Sequence, residues 1–143
     1  MQNDLKEGAN LRKFDMFENL SDDELSLIAK ETVVREFGEG EVVCEEGSAS
    51  DSMFFIDSGS VGISKQGVSL ANLEPGDYFG EMSLITGDPR NATVTALETA
   101  VLLEVSAPVF HVIIQRSPQA MGNLLATFDE RLRRHNEKVV EQF

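Results

Sequence analysis

The spacing of apolar residues divides the chain into three regions, and the first, over residues 11–31, has a helical pattern. Three of its apolar residues recur at every third position: Leu11, Phe14 and Phe17. That spacing places their side chains on one face of a helix. The sequence SDDE at 21–24 has the serine and glutamate of a capping box, which marks the start of a helix. It predicts a second helix with Leu25 and Ile28 facing inward.

The second region, residues 32–105, carries short apolar segments that alternate with turns, and this pattern predicts β-strands. Glycines separate the segments at these positions: Gly38, Gly40, Gly47, Gly59, Gly62, Gly67, Gly76, Gly80 and Gly87. Short strands at regular spacing with glycine turns are typical of a β-sandwich, a barrel or a jelly roll. The segment EMSLIT at 81–86 lies between two glycines and is long enough for about one and a half helical turns.

The third region, residues 106–141, returns to helical spacing. Ser106 is placed to cap a helix whose apolar face holds Val109, Phe110, Ile113 and Ile114. Ser117 and Pro118 restart the helix, because proline is tolerated at the first helical position. A further apolar stripe follows: Met121, Leu124, Leu125, Phe128 and Leu132. The chain is therefore predicted to be one domain, residues 1–143, in which helices flank a mainly β unit.

Charge and composition exclude several classes of partner. Of the 143 residues, 41% are hydrophobic, which is enough for a single core at this length. The 25 acidic and 12 basic residues give a formal net charge of −13. Nucleic-acid backbones and anionic lipids are bound by clustered lysine and arginine. We therefore expect neither nucleic-acid binding nor direct membrane contact by this chain.

Cysteine usage and the lack of long apolar runs indicate the compartment. Cys44 is the one cysteine of the sequence, so an internal disulfide cannot form and a reducing compartment is expected. No apolar run approaches the roughly 18 residues of a spanning helix, and the first ten residues are polar. The chain is therefore expected in the cytoplasm. The sequence leaves open whether it is the cytoplasmic domain of a membrane protein. Cys44 follows Val42 and Val43, a setting typical of a buried, inert thiol.

No catalytic arrangement competes with a binding function. The two histidines, His111 and His135, fall in the final helical region. A metal-binding cupin would instead carry a cluster of histidines and carboxylates on its strands. The sequence suggests no Ser–His–Asp arrangement either. We expect no enzyme, no metal and no cofactor.

The segment FGEMSLITGDPRNATV, residues 79–94 and here called the cassette, has the chemistry of an anion site. A helix start offers free backbone N–H groups and the positive end of a dipole. Gly80 lets a ligand approach the backbone, and Arg90 adds a planar fork of donors suited to phosphate. Glu81 is placed to accept hydrogen bonds from a hydroxyl group. Together these groups suit a small sugar phosphate.

The cassette resembles the phosphate-binding cassette of the cyclic nucleotide-binding domain family. The family pattern F-G-E-x-[SA]-L-x-x-G-x-P-R-x-A-[TS]-V is met at every defined position. The segments GSV at 59–61 and EPGDYFGE at 74–81 also resemble the family, and the likeness covers about residues 11–134. The resemblance implies N-terminal helices over 11–31, an eight-stranded β-roll over 32–105 and C-terminal helices over 106–141. It implies a cyclic nucleotide ligand, with cAMP favoured over cGMP.

The resemblance also implies roles for individual residues. Arg90 matches the arginine that pairs with the cyclic phosphate, and Glu81 matches the acceptor of the ribose 2′-hydroxyl. Backbone groups of three neighbours are implied to contact ribose and phosphate: Gly80, Met82 and Ser83. Ile63 forms part of the apolar wall of the purine site. Arg131 matches in spacing an arginine that covers the purine in bacterial channel members.

Asn91 is the position at which this sequence departs from the family. Its backbone N–H is implied to contact the phosphate, and cGMP-preferring members often carry threonine there. Because Asn91 is neither that threonine nor the common alanine or serine, purine preference stays open. Simpler interpretations also remain for other residues: a surface ion pair of Arg90 with Asp88, a helix-dipole role for Glu81, and a solvated helix face for Arg131.

The attached effector is predicted from the same resemblance. The cassette and Arg131 are most like those of C-terminal domains in bacterial cyclic nucleotide-regulated channels. We therefore expect a regulatory domain attached to an ion channel or a mechanosensitive-type channel, with oligomerisation left open. The alternative is a stand-alone signalling or interaction protein with the same fold, including one that binds no nucleotide.

Overall fold

The structure, a computed structural model, describes residues 11, 13–18, 20–118, 121–122 and 125–126. The helices are a short 3-10 helix (Asp15–Phe17), α1 (Asp22–Glu31), α2 (Glu81–Thr86) and α3 (Ala107–Arg116). The strands are β1 (Val33–Phe37), β2 (Val42–Cys44), β3 (Ser52–Ser58), β4 (Val61–Lys65), β5 (Val68–Leu73), β6 (Tyr78–Phe79), β7 (Thr93–Ala96) and β8 (Ala100–Ser106). None of the helices in this part of the chain is long and apolar enough to cross a membrane.

The strands that are described form two antiparallel sheets of four. The first has the order β1-β8-β3-β6, and the second has the order β2-β7-β4-β5. Each sheet pairs strands that lie far apart in the sequence, as expected for a roll rather than a simple meander. The predicted fold class, an eight-stranded β-roll with flanking helices, is confirmed.

Two apolar clusters lie on opposite sides of the first sheet. The outer cluster packs that sheet against the helices and includes Phe14, Phe17, Leu25, Phe55 and Phe110. The inner cluster lies between the two sheets and includes Phe54, Ile56, Ile63, Phe79 and Leu102. Side chains alternate across a strand, so neighbouring residues of β3 contribute to different clusters.

The N-terminal segment forms tight 3-10 turns, a helix type that the sequence analysis left unspecified. Leu11, Phe14 and Phe17 share one buried face, as expected, but the backbone bonds join residues three apart. The amide of Phe14 donates to the carbonyl of Leu11 at 3.1 Å, and that of Phe17 donates to Phe14 at 3.0 Å. A spacing of three residues is the period of a 3-10 helix, so the apolar pattern fits this tighter turn.

The predicted capping box of α1 is confirmed. The Ser21 hydroxyl accepts a bond from the Glu24 amide at 3.1 Å, and the Glu24 carboxylate accepts one from the Ser21 amide at 2.9 Å. Leu25 and Ile28 are buried as expected. In α3, Ser106 occupies the cap position without a capping side-chain bond, and Phe110 and Ile113 form the buried face.

The chain continues in helical conformation after Ser117 where the structure describes it. The amide of Met121 donates to the carbonyl of Ser117 at 3.3 Å. Met121 and Leu125, two members of the predicted apolar stripe, are exposed. The other members, Leu124, Phe128 and Leu132, lie outside the described residues, as do Arg131 and His135.

Candidate functional site

A pocket opens between the start of α2 and the second sheet. Its empty space, counted together with the part that is open to solvent, amounts to about 320 Å³. It is lined by Cys44, Ile63, Phe79, Gly80, Met82, Ser83, Arg90, Asn91, Ala92 and Val94. The second sheet supplies the wall through β2, β4 and β7, and the cassette supplies the rest. Most residues that the sequence assigned to the site therefore meet at one place.

Gly80 is the residue that lets the cassette turn tightly at this pocket. Its φ of 91° lies in the left-handed region, where side chains other than glycine are strained. A Cβ atom at this position would lie 2.5 Å from Nη1 of Arg90. A larger residue would therefore displace the guanidinium, so Gly80 and Arg90 depend on each other.

Arg90 is buried with unused hydrogen-bond donors. Only 8% of its surface is exposed, and Nε and Nη1 find no hydrogen-bond partner within the described part of the chain. Its Cζ atom lies 5.7 Å from the ring centroid of Phe54. The backbone is fixed on both sides, because the Arg90 amide donates to Ser48 at 2.9 Å and the Gly47 amide donates to Arg90 at 2.8 Å.

This burial argues against the surface ion pair with Asp88. Asp88 is exposed, and among the described residues no ion pair joins it to Arg90. A buried cation is costly unless an anion or several acceptors reach it. The free donors of Arg90 are therefore suited to an oxyanion that enters from the pocket.

Glu81 and Ser83 lie in the first turn of α2. Glu81 is completely buried, and the first-turn position places its carboxylate at the positive end of the helix dipole. The Ser83 hydroxyl donates to the carbonyl of Pro89 at 3.3 Å, which ties the helix to the loop before Arg90. The Glu81 carboxylate and the Arg90 guanidinium thus lie at the two ends of the short segment 81–90.

Other predicted residues form the walls of the pocket. Ile63 is buried on β4, and Asn91 is half-buried next to Arg90. Arg131 lies outside the described residues, so its predicted place over a purine stays a prediction.

Cys44 is a pocket residue that the sequence analysis did not assign to the site. The thiol was expected to be buried and inert, but it is only partly buried and it lines the pocket. Burial raises the pKa of Cys44, whereas the charge of Arg90 and a backbone hydrogen bond at Val94 lower it. The signal that could have located it is the pairing of Cys44 with Val94, and that register is visible only once β2 and β7 are known to be neighbours.

Comparisons with known proteins agree with this geometry. The cyclic nucleotide-binding domain family matches residues 34–117, more than half of the chain. A cyclic nucleotide-gated potassium channel from Mesorhizobium japonicum is 36% identical over 104 residues, 73% of this chain and 29% of the channel. A cGMP-dependent protein kinase from Toxoplasma gondii is 35% identical over 132 residues, 92% of this chain and 13% of the kinase. The chain thus spans less than a third of the length of either relative.

A solved structure shows the same fold. The cAMP-bound PfPKA-R structure has a TM-score of 0.85 and 21% identity, and the match covers 99% of this chain and 50% of that one. Sequence match and architecture lead to one conclusion: the chain belongs to the cyclic nucleotide-binding domain family.

Proposed function

We propose that this domain senses cAMP and regulates an attached channel in the cytoplasm. The observation that carries the ligand proposal is the buried guanidinium of Arg90, whose Nε and Nη1 lack partners in the described residues and which lines the pocket. An anionic ligand would supply the missing acceptors and neutralise the buried charge.

The ligand is held by the two ends of the cassette. Arg90 pairs with the cyclic phosphate, and Glu81 accepts the ribose 2′-hydroxyl. Backbone groups of Gly80, Met82 and Ser83 at the α2 start contact ribose and phosphate. The backbone N–H of Asn91, which follows Arg90, contacts the phosphate. Ile63 packs against the purine, and Arg131 covers it from the last helix. The net charge of −13 does not oppose this binding, because exposed charges are screened beyond about 8 Å at physiological salt.

The proposed preference for cAMP comes from the resemblance, and position 91 is the residue that leaves it open. A threonine there offers a hydroxyl to the amino group of guanine in family members that prefer cGMP, and this chain has asparagine instead. Relatives of both kinds are known, since the similar kinase is cGMP-dependent and the similar structure holds cAMP. The ratio of the two affinities is therefore the quantity to measure.

The response passes through the C-terminal helices. In the bound state the helix that starts at Pro118 closes over the purine, and the ligand shifts the population toward that state because it binds it more tightly. The similar potassium channel supports a channel as the effector. A stand-alone signalling or interaction protein with the same fold is the second candidate.

Calorimetric titration of this chain with cAMP, cGMP and linear 5′-AMP tests the ligand proposal. We expect saturable binding of cAMP at one site, weaker binding of cGMP and no comparable binding of 5′-AMP. The absence of heat and of thermal stabilisation with both cyclic nucleotides would contradict the proposal and leave a β-roll that binds something else.

A further inference from the structure

The pocket holds a reactive group, the thiol of Cys44, together with the buried cation of Arg90. Cys44 is the one cysteine of the sequence and is not in a disulfide. It is partly buried and lines the pocket together with Arg90 and Val94. Arg90 is 8% exposed, and its Nε and Nη1 have no partner in the described residues. A covalent reagent that enters this pocket therefore meets both a sulfur and a guanidinium.

The surroundings of the sulfur select among reagents by their charge. Burial raises the pKa of Cys44, which keeps the thiolate scarce at neutral pH and makes reaction with a neutral reagent slow. The charge of Arg90 acts in the opposite direction. An anionic reagent is attracted by the same charge, so its local concentration near the sulfur rises, whereas a cationic reagent is repelled.

We propose that Cys44 is a covalent modification site for small anionic disulfides, which Arg90 guides into the pocket, and that the modified chain cannot bind cyclic nucleotide. The modifying group occupies the pocket lined by Cys44, Arg90 and Asn91, which is the same pocket that the proposed function assigns to the cyclic nucleotide. This competition rests on the proposed function, whereas the capture of the reagent by Arg90 and Cys44 does not.

The reaction is a thiol–disulfide exchange. The Cys44 thiol loses its proton to solvent, and the thiolate attacks one sulfur of the reagent. A new bond forms between the two sulfurs, the original disulfide bond breaks, and the second half of the reagent leaves as a thiolate with the electron pair. Cys44 is oxidised to a mixed disulfide, and the departing half is reduced. A thiol reductant reverses the exchange.

The first test compares reagents of opposite charge. The anionic 5,5′-dithiobis(2-nitrobenzoate) and the cationic cystamine are reacted with the chain, and each rate is divided by the rate for free cysteine. Since the chain has one cysteine, the mass of the intact protein reports modification of Cys44 alone. Cys44→Ser is the reagent control and should gain no mass.

Arg90 variants decide whether the cation guides the reagent. We expect the normalised preference for the anionic reagent to fall about 10-fold in Arg90→Leu and to persist in Arg90→Lys. Arg90→Gln, which keeps a polar side chain, replaces the leucine variant if that one does not fold. An equal preference in the wild type and in a folded, uncharged variant would overturn the guiding role of Arg90.

The second test measures nucleotide affinity after modification. We expect the mixed disulfide to weaken cAMP binding at least 10-fold and the reductant to restore it. Unchanged affinity of the modified chain would overturn the competition. If the unmodified chain binds no cyclic nucleotide, the proposed function fails, and the comparison of reagents still decides whether Arg90 guides modification of Cys44.

Discussion

Phe54 and Phe55 are neighbours on β3, yet they face two very different interiors. Phe55 lies in the outer cluster, with its ring centroid 4.9 Å from those of Phe14 and Phe17. Phe54 lies in the inner cluster, 5.2 Å from the ring of Phe79 and beneath the guanidinium of Arg90. One face of the strand thus meets closely packed aromatic rings, and the other meets a buried charge.

The difference between the two faces separates stability from binding. The outer cluster consists of apolar and aromatic residues whose burial contributes to the free energy of folding. The inner side holds Arg90 and Glu81, which are costly to bury without a partner of opposite charge or acceptor groups. Such sites reduce stability for the sake of function. Substitutions on the two faces of β3 should therefore have different signatures.

Phe55→Ala should give the largest effect, and it should act on stability. Phe55 is fully buried, and removal of a buried phenylalanine ring costs about 3–5 kcal/mol of unfolding free energy. Urea denaturation measures this loss. The fraction of chains that remains folded should bind cAMP with nearly wild-type affinity, because Phe55 does not line the pocket.

Phe54→Ala is the matched control on the opposite face. It should lower stability too, but it should also weaken cAMP binding, because Phe54 supports the guanidinium of Arg90. If Phe55→Ala does not fold, Phe55→Leu gives a milder loss on the same face. Equal losses of nucleotide affinity in the Phe54 and Phe55 variants would show that the two faces are not separate.

Arg90→Leu should show the reverse signature. We expect the binding free energy of cAMP to weaken by about 2–5 kcal/mol, because the ligand phosphate loses its charged partner. This loss corresponds to a roughly 30-fold or larger increase in Kd. Unfolding free energy should stay equal or rise, because the variant removes a buried cation whose Nε and Nη1 have no partner among the described residues. Calorimetry and urea denaturation on the same sample measure both quantities.

Arg90→Lys is the control for this prediction. It keeps the charge but loses the planar fork, so we expect an affinity between those of the wild type and the leucine variant. A leucine variant that binds as tightly as the wild type would remove the phosphate role of Arg90. A large loss of stability would show that Arg90 belongs to the packed interior rather than to the binding site.

Gly80→Ala and Gly87→Ala compare the two ends of α2. Both glycines have a positive φ, of 91° and 82°, so alanine strains the backbone at either position by about 1–3 kcal/mol. Only at Gly80 does the added Cβ meet Arg90, since at Gly87 no atom lies within 4 Å. We therefore expect a larger loss of stability in Gly80→Ala than in Gly87→Ala, and a loss of cAMP affinity in Gly80→Ala alone. Equal affinities of the two variants would contradict the dependence of Arg90 on Gly80.

The same division explains what could be predicted from the sequence. Periodicity located the apolar faces of Phe14 and Phe110, and the SDDE pattern located the capping box, because these features depend on residues close in the chain. Helix α2 was predictable for the same reason, since Gly80 and Gly87 lie directly before and after it. Its ligand contacts stay predictions. Side-chain chemistry gave the roles of Gly80, Glu81 and Arg90 toward a sugar phosphate, and the resemblance gave the contacts with a cyclic nucleotide.

Features that depend on strand pairing could not be predicted. Cys44 was expected to be buried because two valines precede it, but its position depends on the pairing of β2 with β7. The burial of Arg90 likewise depends on the backbone bonds to Gly47 and Ser48, some forty residues earlier. Local patterns do not report such long-range register. The buried face of the N-terminal turns was predicted, but their helix type was left unspecified, since a step of three residues suits both α and 3-10 geometry.

The smallest expected effect is a dependence of the unfolding free energy on pH that comes from the Cys44 thiol. Burial raises the pKa of Cys44 above its ordinary value of 9.0. Above that pH the unfolded chain releases the thiol proton while the folded chain retains it, so the unfolded state binds fewer protons and stability falls as pH rises. Below pH 9 this thiol has no effect on how the unfolding free energy changes with pH.

Because the wild type and Cys44→Ala share every other titrating group, the difference between their unfolding free energies isolates the thiol. We expect that difference to be constant from pH 6 to 8 and to shift against the wild type above about pH 9, as measured by urea denaturation. A parallel course of the two curves through pH 10 would mean that the sulfur is solvated like that of a free cysteine, and the pocket would then be more open to water than the inner face of β3 suggests.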